Sequence, residues 1–435
     1  MIGEKTWKEV KFESVLPRKT NRIIGLSFPA QNLSLGLEPS VLTVLPEGDN
    51  VEYSYKNMKF DDSSVQYYLC SVYISGMDEF KTWANKHDKR KIIVGGYHPT
   101  TFPEEFANYA EKIVIGPCDD FFATIAQEGQ IVHGITSYKK LPRYDLYDAL
   151  LYNHQIIPDA KESDVFSSIN TSSGCPYRCD FCCTPIMSPT LMSKPLTMVV
   201  QESVEIQKRY NPDFIFIRDE NFPLQPDWKD RLEIISRNIP HAKIYLFASA
   251  NLLNEDTISF MKQHHVYMVC LGLEDVTVDY GKNKHLDEAC SLLKRYGIYI
   301  YLSFIVNPLK IIGKEVAQAF YEKLLQRFYD LSPEMVCGNF LMPFRGTKIW
   351  DDYYQHVAPE DYKYYDSKTA FLIHNPVLRQ KMHFFMFYYQ WLYFTSTYYN
   401  EKIRHFDCDD TLYSRFKELK ESFDEIYEGI WNVRC

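Results

Sequence analysis

From Phe166 to Pro343 short apolar runs recur six times, and between them lie stretches with helical patterning. The runs are FSSINT (166–171), FIFIRD (214–219), IYLFAS (244–249), YMVCLGLE (267–274), YIYLSFIV (299–306) and MVCGNFLMP (335–343), and the stretches include TMVVQESVEIQKRY, LDEACSLLKRYG and VAQAFYEKLLQRF. Strands separated by helices pair in parallel, since the helix is the crossover that returns the chain to the same edge. Six such units predict an open or closed (β/α) barrel with its chemistry at the strand carboxyl ends. A second alternation precedes it, from Asn21 to Gln130: RIIGLSF, VEYSY, VQYYLCSVYI, the helix MDEFKTWANKH, KIIVGGYH, the helix PEEFANYA, KIVIG and DDFFATIAQ. Near-continuous apolar runs of this length predict a buried, doubly wound parallel sheet. Ligands bind such sheets at the carboxyl ends of their strands, where Ser71, Gly95, Gly96 and Gly116 stand, small enough for close approach to the backbone. The expected division is a doubly wound domain over 1–140, a linker over 141–163 containing LPRYDL, the barrel over 164–350 and a helical region over 351–435.

Composition narrows the partners. With 57 acidic against 48 basic side chains the net charge of -9 disfavours nucleic acid or an anionic membrane as the main partner, leaving small molecules or peptides. The opening MIGEKTWKEVKFE has no apolar run of secretory type, so a cytoplasmic protein is expected. The stretch from Met382 to Tyr399 is long enough to suggest a membrane span. Its five tyrosines, with Gln390, Thr395, Ser396 and Thr397, make it too polar, and a helix packed on the protein is expected instead.

Of the eleven cysteines most stand alone, as small core residues do. One group is clustered: SSGCPYRCDFCCTP spaces Cys175-x3-Cys179-x2-Cys182, with aromatic Phe181 directly before the third cysteine. Three thiolates satisfy three irons of a [4Fe-4S] cubane and leave the fourth open, whereas structural zinc sites usually take four ligands, and no second knuckle is present. An open iron can chelate the amino and carboxylate groups of S-adenosylmethionine (SAM), and an electron passed through it releases a 5′-deoxyadenosyl radical. Cys183 is off the spacing and is expected to pack.

This CxxxCxΦC motif, in the loop after a barrel's first strand, resembles the radical SAM superfamily. The resemblance implies that the acidic pair in Arg218-Asp219-Glu220-Asn221 meets the SAM amino group, and that Ser249 and Glu274 contact its ribose or methionine part. Glu274 could instead form an ion pair at the barrel rim. Pro343-Phe-Arg-Gly-Thr347 is similar to a turn common in relatives, while Asn307-Pro308 departs from their usual Gly-x-Pro, with Asn307 a candidate contact to adenine or substrate.

A doubly wound domain ahead of such a barrel resembles the cobalamin-binding subfamily. CSVYI, VGGYHPT (94–100), IGPCDD (115–120) and LPRYDL carry this likeness, which implies that Ser71, Gly95, Gly96 and Gly116 line a cleft for the dimethylbenzimidazole tail of cobalamin. The chain departs from the pattern in lacking DxHxxG and in placing Pro117-Cys118 where an acidic pair is usual; His98 is expected to be structural. The resemblance implies a cobalamin-dependent methyltransferase acting on an unactivated carbon, with a flavodoxin or ferredoxin as low-potential electron donor. The alternatives are a radical cyclase, rearrangement enzyme, lyase or epimerase without methyl transfer, and a non-catalytic cluster or cobalamin sensor.

Overall fold

The structure is a computed structural model that describes residues 21–28, 41–53, 62–146, 164–394, 396 and 399. The end of VEYSY, residues 29–40, linker residues 147–163, and the tail beyond Tyr399 with Cys408 and Cys435 lie outside them.

The first sheet has six strands: β1 (Arg22–Phe28), β2 (Val51–Tyr53), β3 (Val65–Val72), β4 (Ile92–Gly95), β5 (Lys112–Ile115) and β6 (Ile131–His133). All pair in parallel in the order β2-β1-β3-β4-β5-β6. The order reverses between β1 and β3, which makes the carboxyl ends of those two strands the switch point where doubly wound sheets hold ligands. β6 was not legible as a strand, because it is three residues long and only Val132 of it is buried. Helix α1 (Met77–Ala84) follows β3, with Asp78 and Glu79 in its first turn where the helix dipole favours them. The stretch PEEFANYA forms only a 3-10 turn at Pro103–Phe106, with Phe106 and Ala110 buried.

The second sheet also has six parallel strands: β7 (Phe166–Ile169), β8 (Phe214–Ile217), β9 (Lys243–Phe247), β10 (Val266–Glu274), β11 (Tyr299–Val306) and β12 (Met335–Phe340). They lie in sequence order, with β7 and β12 at the two edges. The crossovers are α2 (Leu196–Tyr210), α3 (Trp228–Asn238), α4 (Glu255–Gln263), α5 (Leu286–Arg295) and α6 (Lys314–Leu331). α2 and α6 each end on a left-handed residue, Asn211 and Ser332, which stops the helix.

One apolar core joins both sheets, running from Ile24 and Leu26 through Ile215 and Ile217 to Phe385 and Tyr393. Across the junction Tyr97 packs edge-on to Phe344 at 5.0 Å, Phe102 meets Trp350 at 5.5 Å, and Arg345 pairs with Glu104 while lying over the Phe102 ring. The aromatic stretch is α7 (Pro376–Phe394), packed on α6 through Tyr389 stacked with Tyr321 at 5.0 Å. Met382, Phe385, Met386, Tyr389 and Tyr393 are buried. Among the described residues no helix is long and apolar enough to cross a membrane.

Candidate functional site

Residues 174–191 form a loop pinched at its base by a short antiparallel pairing, Ser172 opposite Ser193 and Ser173 opposite Met192. Gly174 begins the loop at φ +89°, and a Cβ there would stand 2.2 Å from the Thr190 carbonyl oxygen. No side chain fits. Gly174→Ala is expected to destabilise the fold by about 1–3 kcal/mol through backbone strain, seen as a lower urea midpoint; an unchanged midpoint would show that the loop relaxes freely.

The loop carries Cys175, Cys179 and Cys182, all partly buried and free. A turn brings the Cys182 N–H to the Cys179 carbonyl at 3.0 Å, and the Ile349 N–H donates to Asp180 O at 3.1 Å, tying the loop to the segment after Pro343–Thr347. Burial pushes the Cys175 and Cys179 thiols up, and Cys182 acts on both in the same direction. Among the described residues no three His, Cys, Asp or Glu side chains converge as ligands of a single ion. A cubane does not require that, because each of its three cysteines takes a different iron. Cys183 is partly buried like its neighbours, its thiol pushed up to about 12 by burial and by neighbouring Cys182.

Beside the loop, at the carboxyl edge of the second sheet, is a cavity of about 340 Å³. Phe181, Glu220, Ser249, Glu274 and Lys282 line one part of it, and Ser303, Asn339 and Ser367 another. The Glu220 carboxyl is raised by burial and by adjacent Asp219, and takes the Gly174 N–H. Ser249 is held by Asn221, whose Nδ2 donates to Ser249 Oγ at 2.7 Å and whose Oδ1 accepts from Ser249 N at 3.0 Å. Glu274 lines the cavity and also forms the rim ion pair, with Lys282.

Asp219 sits apart from the cavity. It is 0% exposed. Its carboxylate accepts from Thr171 N and Thr171 Oγ1, both at 2.6 Å, from Ser172 Oγ at 2.8 Å and from Gln225 Nε2 at 2.6 Å. Those donors make Asp219 the tie between the segment after β7 and the end of β8. Asn307 donates to Tyr353 Oη at 2.9 Å and lines a separate cavity with Lys310 and Phe320. Lys282 was not found in the sequence, because a lysine in an exposed-looking GKNK turn gives no signal there.

In the first sheet Ser71 and Gly95 are register partners, and Ser27 of β1 is the partner of Ser71 on the other side. The Ser27 and Ser75 hydroxyls are buried without a hydrogen-bond partner among the described residues. Buried polar groups are normally satisfied, so two unsatisfied hydroxyls at the switch point suit a polar ligand there. Gly96 (φ +101°) and Gly116 (φ +79°) require glycine, and a Cβ on Gly116 would approach only the Met187 carbonyl of the cysteine loop, at 3.6 Å. Thr100, within the GGYHPT turn, links the two by donating to Gly96 O at 2.8 Å and accepting from Gly116 N at 3.0 Å. His98 is 0% exposed, packed on Phe102 and Phe106, with Nε2 3.3 Å from Glu105.

Residues 169–320 match the family model of the radical SAM superfamily. The chain is similar to the bacteriochlorophyllide d C-8(2)-methyltransferase of Chlorobaculum tepidum, 21% identical over 64% of this chain and 66% of that protein. It is also similar to the hopanoid C-2 methylase of Rhodopseudomonas palustris, 20% identical over 72% of this chain and 62% of the relative. In both cases slightly less than two thirds of the relative's length is spanned. A solved structure of the radical S-adenosylmethionine methyltransferase TsrM from Kitasatospora setae, with cobalamin and [4Fe-4S] cluster bound, shares the fold at a TM-score of 0.57, with 15% identity and 78% of each chain covered.

Proposed function

We propose that this chain, a member of the cobalamin-binding radical SAM superfamily, methylates an unactivated carbon of a small molecule or peptide. The observation that carries the reading is the meeting of three features: the cysteine loop, the cavity beside it, and the carboxyl edge of a doubly wound sheet whose Gly116 abuts that loop. The relatives' methyltransferase activities support the same choice. We read residues 1–140 as the cobalamin-type domain, 141–163 as the linker, 164–350 as a partial (β/α)6 barrel and 351–435 as the helical region that shapes specificity.

When bound, the cluster with SAM supplies a 5′-deoxyadenosyl radical and cobalamin supplies the methyl group. Cys175, Cys179 and Cys182 hold three irons. Glu220, raised by burial yet open to the cavity, partners the SAM ammonium, and Ser249, oriented by Asn221, meets a SAM hydroxyl or carboxylate. Ser27, Ser71, Gly95, Gly96 and Gly116 cradle the cobalamin tail. Phe344 and Tyr97, packed together at the junction, help exclude water from the space between the two sheets. A flavodoxin or ferredoxin delivers the electron.

The visible spectrum of anaerobically reconstituted protein tests the cofactors: cluster absorption near 400 nm is expected together with corrin bands. Labelled SAM tests the reaction, with both 5′-deoxyadenosine and S-adenosylhomocysteine expected as products. Corrin bands absent after reconstitution with hydroxocobalamin, or no S-adenosylhomocysteine with a turned-over substrate, would sink methyl transfer.

A further inference from the structure

We propose that Lys282, held by Glu274 against the cysteine loop, sets the reduction potential of the cluster carried by Cys175, Cys179 and Cys182, an inference that rests on the cluster reading above. Glu274 ends β10 at φ +60°, a strained conformation for a non-glycine residue that persists where its surroundings enforce it. Its carboxylate accepts from Lys282 Nζ. The pair fills the space of a missing side chain: a Cβ on Gly272 would stand 2.0 Å from Glu274 Oε1 and 3.3 Å from Lys282 Nζ. Asn283 Nδ2, donating to Leu273 O at 3.1 Å, fixes the lysine-bearing turn to the strand end. The ammonium lies 5.7 Å from the centre of the Phe181 ring, and Phe181 directly precedes Cys182.

The ionisable groups that act on Lys282 are Glu274, Cys179 and Cys182. Asp275 turns away, its carboxylate accepting from Thr277 N at 2.8 Å and Thr277 Oγ1 at 2.6 Å. A cation fixed here, with its side chain only 20% exposed, is poorly screened by solvent. Reduction adds one electron from the low-potential donor to the 2+ cluster and gives the 1+ state, with no proton moved and no bond broken. The ammonium stabilises the more negative product, and the Glu274 carboxylate partly offsets it.

Full-length wild type, Lys282→Met, Lys282→Arg and Glu274→Gln, each reconstituted anaerobically and assayed for iron and sulfide, provide the test. Midpoints come from dithionite titration with mediators, followed by electron paramagnetic resonance without SAM. Lys282→Met is expected to need at least a tenfold higher ratio of reduced to oxidised mediator, a fall of about 59 mV for one electron. Lys282→Arg stays near wild type. Glu274→Gln keeps the shape, removes the offsetting charge and moves the midpoint upward. A fully loaded Lys282→Met with an unchanged midpoint overturns the proposal, as do shifts of the same sign in Lys282→Met and Glu274→Gln. If Lys282→Met fails to hold cluster, a Glu274→Gln midpoint that does not rise overturns it. A wild-type chain that takes up no cluster at all overturns the underlying cluster reading.

Discussion

Alanine at any one of Cys175, Cys179 or Cys182 is expected to take iron content from the roughly four atoms per chain of a cubane to background, and 5′-deoxyadenosine formation with it. The loss should exceed the roughly 100-fold that removing a mere outer-shell partner of a metal ligand can cause, because two thiolates cannot hold a cubane with one iron open. Cys183→Ala is the informative contrast. Cys183 is adjacent in sequence but off the Cys-x3-Cys-x2-Cys spacing, and burial pushes its thiol up to about 12. Its alanine variant should keep iron content and radical formation near wild type. The measurements are iron and sulfide assays on reconstituted protein and chromatography of 5′-deoxyadenosine after dithionite reduction. Should Cys183→Ala lose the cluster while Cys182→Ala retains it, the ligand assignment is wrong and the third iron is held by the neighbour.

The parts legible in the sequence were those with a strong local signal. The second sheet's strands are apolar runs, from FIFI, buried at every position, to the longer runs at Val266–Glu274 and Tyr299–Val306, and the observed strands fall inside or beside the predicted runs. The spacing of Cys175, Cys179 and Cys182 marked a cluster loop, which the structure shows as a loop beside a cavity, and the glycines at 95, 96 and 116 were read from their place at strand ends. The failures arise where a role depends on which way a side chain turns. Asp219 and Glu220 are adjacent just past the end of β8, one buried and the other lining the cavity, and residue type alone cannot say which is which. Ser27 is one ordinary polar residue in RIIGLSF, and only the strand order sets it beside Ser71 at the switch point. Lys282 lies eight residues beyond Glu274, outside any motif, and its place over the cysteine loop comes from the strained backbone at Glu274 and the missing side chain of Gly272.

The different placement of Asp219 and Glu220 leads to the second large expected effect, a separation of stability from ligand binding at neighbouring carboxylates. Asp219→Ala leaves the Thr171 N–H, two hydroxyls and the Gln225 amide without their acceptor in a fully buried site. Each buried donor left unsatisfied costs about 1–3 kcal/mol, so a total loss of at least about 3 kcal/mol is expected even after some regain other partners. With denaturant slopes of about 1–3 kcal/mol per molar, the urea midpoint should fall by roughly 1 M or more. Glu220→Gln keeps the volume and removes only a charge open to the cavity, so stability should move by less than about 0.5 kcal/mol. SAM binding should instead weaken by about 1.5–3 kcal/mol, the worth of a hydrogen bond to a charged group, or roughly tenfold to a hundredfold. Urea unfolding followed by circular dichroism reads the first quantity, and calorimetric titration of cluster-loaded protein with SAM reads the second. If Glu220→Gln binds SAM as wild type does, while a folded Asp219→Asn does not, then the buried carboxylate is the SAM partner after all, and the hydrogen bonds that fill its site must rearrange when SAM enters.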